Sequence, residues 1–171
     1  INVGANYGVY ALSSAAIVGA SGAVWAFEPS KSVASQLKRS VSLNGFANLT
    51  VLERAVSNYS GVAHFAEASN SELSCLVEHG ASEVNPEQVV QVSVTTLDRC
   101  QEEFSWGSID FIKIDAEGQE PLVVSGAQQL LTSDAPLVMA EFKHGSEFNT
   151  TMEAEFRAIG FNPYRLVRGP M

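Results

Sequence analysis

The chain has 171 residues, of which 46% are hydrophobic and 17% charged, and its formal net charge is −9. Its length fits a single domain over residues 1–171, which can bury about two-thirds of the unfolded surface without a disulfide or metal staple. The acidity argues against a nucleic-acid partner, because binding phosphates requires clustered Lys and Arg, and no apolar run reaches the roughly 18 residues of a membrane span.

The first half of the chain alternates short apolar runs with segments of helical periodicity. A glycine turn closes the first run, and Ser30 or Ser32 can cap the second helix, which stops at Gly45. In chain order the pattern predicts a strand over 1–3, a helix over 8–19, a strand over 23–27, a helix over 30–45 and a strand over 49–52.

The second half carries further apolar runs and one long polar stretch. Residues 58–61 are typical of a turn, which suits a hairpin with a strand over 62–65, whereas residues 67–88 are polar and irregular and predict an exposed insertion or lid. The runs at 109–114 and 137–142 are typical of strands buried on both faces. The remaining predictions are a strand over 90–94, a helix over 97–104 capped by Thr96, a helix over 121–131 beginning at Pro121, a helix over 152–159 and a strand over 161–167.

Strands that alternate with helices in this way predict an α/β fold, with a doubly wound, mostly parallel sheet and helices on both faces. Only three residues of the first strand are present, so we expect the sheet to be incomplete at both ends, with a further strand beyond residue 171. In such a sheet a ligand binds beyond the carboxyl ends of the strands, where the strand order reverses. Here that point joins the turn after Val3 to the turn after Ile114.

These two turns, GANYG and DAEG, are the most distinctive loops in the sequence. Gly4 and Gly8 permit a sharp turn and the close approach of a ligand to the backbone, although a tight turn without a ligand would also use glycine. Glu28 follows the second strand about 20 residues later, where an acid typically binds ribose hydroxyls; a solvated surface carboxylate is the alternative. Asn6 replaces the second glycine of a dinucleotide-binding turn, which argues against NAD and suits a ribose ligand without phosphates, such as S-adenosylmethionine.

The sequence resembles the FkbM-type methyltransferases of the class I S-adenosylmethionine-dependent superfamily in four stretches: INVGANYGVY, AFEPS, LERAVSNYSG and IDFIKIDAEGQE. They occur in order between residue 1 and about residue 141. The resemblance implies a Rossmann-like methyltransferase domain that uses S-adenosylmethionine as its cofactor. It also implies methyl transfer to an oxygen, with a hydroxyl of a small molecule, sugar, glycoconjugate or polyketide-like metabolite as the acceptor.

The resemblance also assigns residues to the cofactor. Glu28 would bind the ribose hydroxyls, Pro29 would pack near the adenine, and Asp115 would lie near the sulfonium. The full set of implied cofactor contacts is Asn2, Gly4, Ala5, Asn6, Gly8, Glu28, Pro29, Ala55, Val56 and Asp115. Two positions depart from the family: Asn2 stands where Asp usually helps to hold the amino group of the cofactor, and Arg54 lies where many related enzymes place an acid for the adenine amine.

Methyl transfer to a hydroxyl requires a base, and carboxylates crowd two neighbouring strand ends. Asp115 and Glu117 follow one strand and Glu141 ends the next, so these three are the predicted catalytic residues. Glu120 is assigned instead to the N-terminus of the following helix, where a negative charge is favourable, and His144 is a further candidate beside Glu141.

Two other functions stay open at this stage. A non-catalytic S-adenosylmethionine-binding module would be consistent with Asn2, and a NAD-binding oxidoreductase is disfavoured by Asn6. Cys75 and Cys100 show no metal-ligand spacing, so the sequence predicts reduced thiols in a cytoplasmic protein. Carboxylates can hold Mg²⁺ against the acceptor, as in some O-methyltransferases, and this alternative stays open, but the sequence does not fix a ligand set and no metal is predicted.

Overall fold

The computed structural model of the chain describes residues 1–68, 74–77, 89–141, 143–144, 147–148 and 150–164. In chain order its strands are β1 (Asn2–Val3), β2 (Val24–Phe27), β3 (Leu49–Leu52), β4 (Arg54–Val56), β5 (Gly61–Ala66), β6 (Cys75–Val77), β7 (Val89–Thr95), β8 (Phe111–Ile114), β9 (Leu137–Ala140), β10 (Lys143–His144) and β11 (Glu147–Phe148). Its helices are α1 (Val9–Val18), α2 (Lys31–Asn44), α3 (Leu97–Phe104), α4 (Glu120–Ser125), α5 (Gln128–Asp134) and α6 (Thr150–Ala158).

Five parallel strands form the central sheet, in the order β3-β2-β1-β8-β9. β1 pairs with β2 on one side and with β8 on the other, so Val3 lies opposite both Phe27 and Ile114. The strand order therefore reverses at β1, and the carboxyl ends of β1 and β8 lie side by side as predicted. This sheet and its flanking helices confirm the predicted α/β fold.

Helices cover two faces of this sheet because successive side chains of a strand point to opposite sides. Val24 and Ala26 of β2 pack with Ala11 of α1 and Leu37 of α2. Phe27 packs on the other face, in a core shared with side chains from α3, α4, α5 and α6. The alternation within β2 thus builds both halves of the interior.

Helix boundaries follow the predicted signals. Ser30, rather than Ser32, accepts a hydrogen bond from the first turn of α2, and Thr96 caps α3 in the same way. Gly45 ends α2 in the left-handed conformation, with φ +68. Within the described residues, none of the helices combines the length and apolar character needed to cross a membrane.

A second sheet, in the order β4-β7-β5-β6, begins one residue after β3. The strand predicted over 62–65 is present as β5, but the predicted hairpin is wrong. β7 lies between β4 and β5, parallel to the first and antiparallel to the second. Val92 and Val94 of β7 form a small core with Ala55 and Phe65, so burial favours an interior position for β7 in this sheet. The strand predicted over 90–94 is therefore present but belongs to this sheet.

Part of the stretch predicted as an irregular insertion is a strand. β6 pairs antiparallel with β5, which sets Leu76 opposite Phe65. Residues 69–73 and 78–88 lie outside the described residues, so the lid stays a prediction.

The helix predicted over 121–131 is two helices, α4 and α5, with a break at Gly126. Gly126 packs against the backbone of Ser57, and a Cβ there would overlap the Ser57 carbonyl oxygen. The carboxylate of Asp98 accepts hydrogen bonds of 3.1 and 2.9 Å from two N–H groups in the first turn of α5. The contact between Gly126 and Ser57 thus coincides with the end of α4, and the cap from Asp98 with the start of α5.

The strand predicted over 137–142 is present as β9, but the prediction that it is buried on both faces is wrong. β9 is the outer strand of the central sheet as described, and Leu137 is 71% exposed. The strand predicted over 161–167 is absent from residues 161–164, and residues 165–171 lie outside the described part of the chain.

Candidate active site

A cleft of about 450 Å³ opens at the carboxyl ends of β1, β2 and β8. Both distinctive turns line it, together with Phe65 of β5 and Leu76 of β6. The predicted site residues that line it are Gly4, Ala5, Asn6, Gly8, Glu28, Pro29, Ala55, Val56, Asp115, Glu117 and Glu141. The strand order therefore brings together residues that are far apart in sequence.

The two turns contact each other through their backbones. The N–H of Asp115 donates a hydrogen bond of 3.2 Å to the carbonyl of Val3. Gly4 has φ +71, and a Cβ at that position would overlap the carbonyl oxygen of Asp115. Gly4 is therefore needed for the contact between the turns themselves, a requirement that the sequence did not reveal.

Glu28 is fixed at the end of β2, with only 7% of the residue exposed. The N–H of Asn6 donates to its Oε2 at 2.8 Å, and the N–H of Ser30 donates to its Oε1 at 2.9 Å. Burial raises the pKa of Glu28, the two N–H donors oppose this shift, and the nearby charge of Glu67 adds to it. Each carboxylate oxygen can accept more than one hydrogen bond, so Glu28 can bind a ligand donor without releasing the turn.

Glu67 belongs to the surroundings of Glu28, although the sequence placed it in the predicted insertion. It follows β5, and its Oε1 accepts a hydrogen bond of 2.6 Å from the hydroxyl of Ser30. The two residues are 37 positions apart and meet only because the second sheet returns the chain to this point. No spacing or motif in the sequence signals that contact.

Lys113 is a buried cation beside the second turn. Its side chain is 7% exposed, and its Nζ lies 2.7 Å from Oδ2 of Asp115 and 4.6 Å from the ring centroid of Tyr10. A carboxylate and an aromatic face both compensate a buried ammonium group. Residues two apart on a strand share a face, and this rule is the signal that could have paired Lys113 with Asp115 from sequence.

Glu120 holds the loop between β8 and α4. Its carboxylate is buried, and Oε1 accepts hydrogen bonds from the N–H of Ala116 at 2.7 Å and from the N–H of Gly118 at 3.3 Å. Glu117 lies between these two donors with φ +50, an uncommon conformation for a residue other than glycine. Glu120 therefore stands in the first turn of α4, as the sequence predicts, and its side chain also bonds to the preceding loop.

One wall of the cleft is apolar. Ala55 and Val56 are buried at the end of β4, and Phe65 and Leu76 extend this wall from the second sheet. The guanidinium of Arg54 makes two hydrogen bonds of 2.7 and 2.8 Å to the carboxylate of Glu103. This wall therefore offers a planar apolar ligand mainly packing and backbone groups.

Asn2 is the predicted site residue that does not line this cleft. It is 4% exposed and lies opposite Lys113 in the register of β1 and β8. Its side chain lines a separate cavity of about 500 Å³ beneath α1, and neither its oxygen nor its nitrogen has a hydrogen-bond partner among the described residues. Direct contact of Asn2 with a cofactor stays a prediction.

The carboxylates around the cleft do not form an evident metal centre. Among residues 1–68, 74–77, 89–141 and the other described positions, no group of three or more His, Cys, Asp and Glu side chains could hold a metal ion. The side chain of His144 lies outside what the structure describes, so its candidate role stays a prediction.

Comparison with known proteins identifies the family. A family model described as the methyltransferase FkbM domain matches residues 2–163. The chain belongs to this family. The assignment confirms the resemblance that the four sequence motifs indicate, and the FkbM domain spans both turns of the cleft.

The fold of this FkbM domain is similar to that of a solved relative. The crystal structure of methyltransferase FkbM from Methylobacillus flagellatus KT matches with a TM-score of 0.58 and 18% sequence identity. The match covers 92% of this chain and 35% of that one, so the FkbM domain spans about a third of the relative's length. At this identity the likeness shows the fold alone. No curated protein matches the chain.

Proposed function

We propose that this FkbM domain binds S-adenosylmethionine in the cleft and methylates a hydroxyl of a small molecule, sugar or glycoconjugate. The observation that carries the proposal is the carboxylate of Glu28, buried at the end of β2 and held by the N–H of Asn6 in the turn after β1. An acid at this place in a doubly wound sheet is suited to the two hydroxyls of a ribose.

The charges at the cleft favour a cationic cofactor over a pyrophosphate. Among the described lining residues, the two cationic side chains are Lys113, paired with Asp115, and Arg54, paired with Glu103. Both cations therefore already have a carboxylate partner and do not form a phosphate-binding site. The turn after β1 also has Asn6 where a dinucleotide site needs glycine. This combination supports a ribose ligand that carries a sulfonium and an ammonium, and it disfavours NAD.

The cofactor would be divided between three parts of the cleft. Glu28 would accept the ribose hydroxyls, and Pro29 and the apolar wall at Ala55 and Val56 would pack against the adenine. The turn from Gly4 to Gly8, with Ala5 and Asn6, would lie along the methionine part. A cleft of about 450 Å³ is within the range of small-molecule sites.

When bound, S-adenosylmethionine supplies a methyl group on a positively charged sulfur, activated for in-line displacement. The protein then has to orient the acceptor oxygen, exclude water and accept a proton. Orientation alone can supply roughly 7–11 kcal/mol of the barrier in well-aligned systems. A correctly placed base contributes typically about 10²–10⁴-fold more.

The contacts support two different roles for the three predicted catalytic carboxylates. Asp115 lines the cleft beside its ion-pair partner Lys113, so we assign it to the cofactor, whose positive charge a carboxylate attracts. Glu117 and Glu141 line the same cleft and are the candidates for the base. Loss of the acidic limb of the pH–rate profile in Glu117→Gln or in Glu141→Gln would assign that role.

A non-catalytic S-adenosylmethionine-binding module is the second candidate. It is favoured by Asn2, a buried amide without a partner among the described residues, at the position where the family usually has Asp. Binding without methyl transfer by the wild-type chain, together with a gain of transfer in Asn2→Asp, would support this alternative.

Calorimetry with S-adenosylmethionine and with NAD tests the proposal. We expect the wild-type chain to bind the first and not the second, and Glu28→Ala to weaken binding by about 10–100-fold because charge-assisted hydrogen bonds are lost. Glu53→Ala, which removes a partly exposed carboxylate paired with Lys38, is the matched control. Binding of NAD alone, or equal affinities for the two variants, would overturn the proposal.

The cytoplasmic location is also a proposal. Both cysteines are free thiols, which supports a reducing compartment. Fractionation of cells that express the native protein would test it.

A further inference from the structure

The loop that follows β8 contains two successive residues in the left-handed region. Glu117 has φ +50 and Gly118 has φ +90. Glycine adopts this conformation readily, but a residue with a side chain does so only where its surroundings hold it. Asp115 and Glu117, which flank the start of this turn, both line the cleft.

Besides the backbone hydrogen bond of 3.2 Å from the N–H of Gln119 to the carbonyl of Ala116, a buried carboxylate oxygen holds this turn. Oε1 of Glu120 accepts from the N–H of Ala116 and from the N–H of Gly118, the residues on either side of Glu117. Glu120 is 5% exposed and is not among the residues that line the cleft. Its bonds go to the loop before α4, so a favourable charge at a helix N-terminus does not account for them.

We propose that Glu120 is a positioning residue, which fixes the backbone around Glu117 and thereby sets the places of Asp115 and Glu117 in the cleft. The inference rests on the proposed function, because the property that this loop should change is the affinity for S-adenosylmethionine. Without this acceptor, the N–H groups of Ala116 and Gly118 lose their partner, and the left-handed turn is left with the backbone hydrogen bond from Gln119 to Ala116.

Asp98 provides a matched control. Like Glu120, it is a carboxylate that accepts hydrogen bonds from two backbone N–H groups. Its donors lie in the first turn of α5, whereas Asp98 itself lies in the first turn of α3. It does not line the cleft. A purely structural role for Glu120 would make Glu120→Ala and Asp98→Ala behave alike.

The experiment compares the full chain with Glu120→Ala, Glu120→Gln and Asp98→Ala. Hydrogen exchange at the amides of Ala116 and Gly118 should accelerate by about tenfold or more in Glu120→Ala and stay unchanged in Asp98→Ala. The affinity for S-adenosylmethionine, measured by calorimetry, should fall by about tenfold or more in Glu120→Ala and by less than about twofold in Asp98→Ala, at comparable losses in Tm. Glu120→Gln, which keeps an oxygen acceptor, should recover most of both.

Two results would overturn the inference: unchanged exchange at those amides in Glu120→Ala, or losses of affinity that follow Tm equally in Glu120→Ala and Asp98→Ala. Failure of the wild-type chain to bind S-adenosylmethionine would instead refute the proposed function, and the exchange measurement would then decide the role of Glu120. If Glu120→Ala does not fold, Glu120→Asp takes its place and is compared with Glu120→Gln. The Asp side chain is too short to bond to the loop, whereas the Gln side chain has the length of the native Glu.

Discussion

The N–H of Asn6 donates a hydrogen bond of 2.8 Å to Oε2 of Glu28, 22 residues later in the chain. This bond joins the turn after β1 to the end of β2, and the N–H of Ser30 completes the set on the other oxygen. Glu28 is therefore held in one orientation before any ligand arrives. Preorganisation of this kind favours binding, because little side-chain freedom is left to lose.

Glu28 predicts opposite pH responses for stability and for cofactor affinity. Because burial raises its pKa above 4.5 in the folded chain, the folded state holds this proton more tightly than the unfolded state does. The free energy of unfolding should therefore fall as pH rises from 4.5 through the raised pKa. The stabilising contribution of Glu28 is fully present only below this pH range. Affinity for S-adenosylmethionine should rise over the same window, since the ionised carboxylate accepts the ribose hydroxyls.

Urea unfolding and calorimetry at matched pH values measure the two responses. Glu28→Gln should remove both slopes, whereas Glu53→Gln, outside the cleft, should keep them. Identical slopes in the wild-type chain and in Glu28→Gln would show that another group is responsible.

The ion pair between Lys113 and Asp115 should be coupled more strongly than a surface pair. The double-mutant cycle of Lys113→Met and Asp115→Asn should give about 1–3 kcal/mol of coupling in the free energy of unfolding. Lys38 and Glu53 form the control pair, with a similarly exposed carboxylate, 36% against 38% for Asp115, but a lysine that is 47% exposed instead of 7%. Its coupling should be about 0.5 kcal/mol or less, and equal values for the two pairs would contradict the role of Lys113 burial.

Gly4 should be far less tolerant of a side chain than another left-handed glycine. Gly4→Ala forces a Cβ onto the carbonyl of Asp115 and should lower the free energy of unfolding by about 3 kcal/mol or more. Gly45 has φ +68 but open space among the described residues where a Cβ would lie, so Gly45→Ala should cost only about 1–2 kcal/mol of backbone strain. Thermal unfolding of both variants makes the comparison, and similar Tm losses would refute the steric account.

Thiol labelling should distinguish the two cysteines. Cys75 lines the cleft and is partly exposed, whereas Cys100 is buried and burial raises the pKa of its thiol. N-ethylmaleimide should therefore modify Cys75 first, and S-adenosylmethionine should slow that reaction. Peptide mass spectrometry reports both rates, with Cys75→Ser as the control. Preferential labelling of Cys100, or no protection by the cofactor, would argue against the placement of the cofactor beside β6.

The features that could be predicted from sequence depend on local pattern and on strand order. Glu28 follows an apolar strand, and the alternation of strands and helices was enough to place it at the cleft beside the glycine turn. Glu67 could not be placed, because its contact with Ser30 depends on how a second sheet folds back. Lys113 could have been paired with Asp115 by the periodicity of the strand.

The wrong predictions have a common physical cause. The break at Gly126 depends on the backbone of Ser57 and on a cap from Asp98, and neither leaves a trace in the local helical pattern. Leu137 belongs to an apolar run that looks the same whether the strand is covered on one face or on two. Local periodicity indicates whether a segment is a helix or a strand. The tertiary contacts of that segment determine where it ends and how much of it is buried.

The contact between Gly4 and the carbonyl of Asp115 has a consequence for how this site can diversify. The turn after β1 and the turn after β8 are in direct backbone contact, and a methyl group on Gly4 would overlap the carbonyl oxygen of Asp115. Neither turn can therefore change its path unless the other also moves. Changes of side chain are therefore accommodated more readily on the opposite wall, where Phe65 and Leu76 project from a separate sheet. The two turns thus form the fixed part of the cleft, whereas the wall from the second sheet can accept substitutions without moving them.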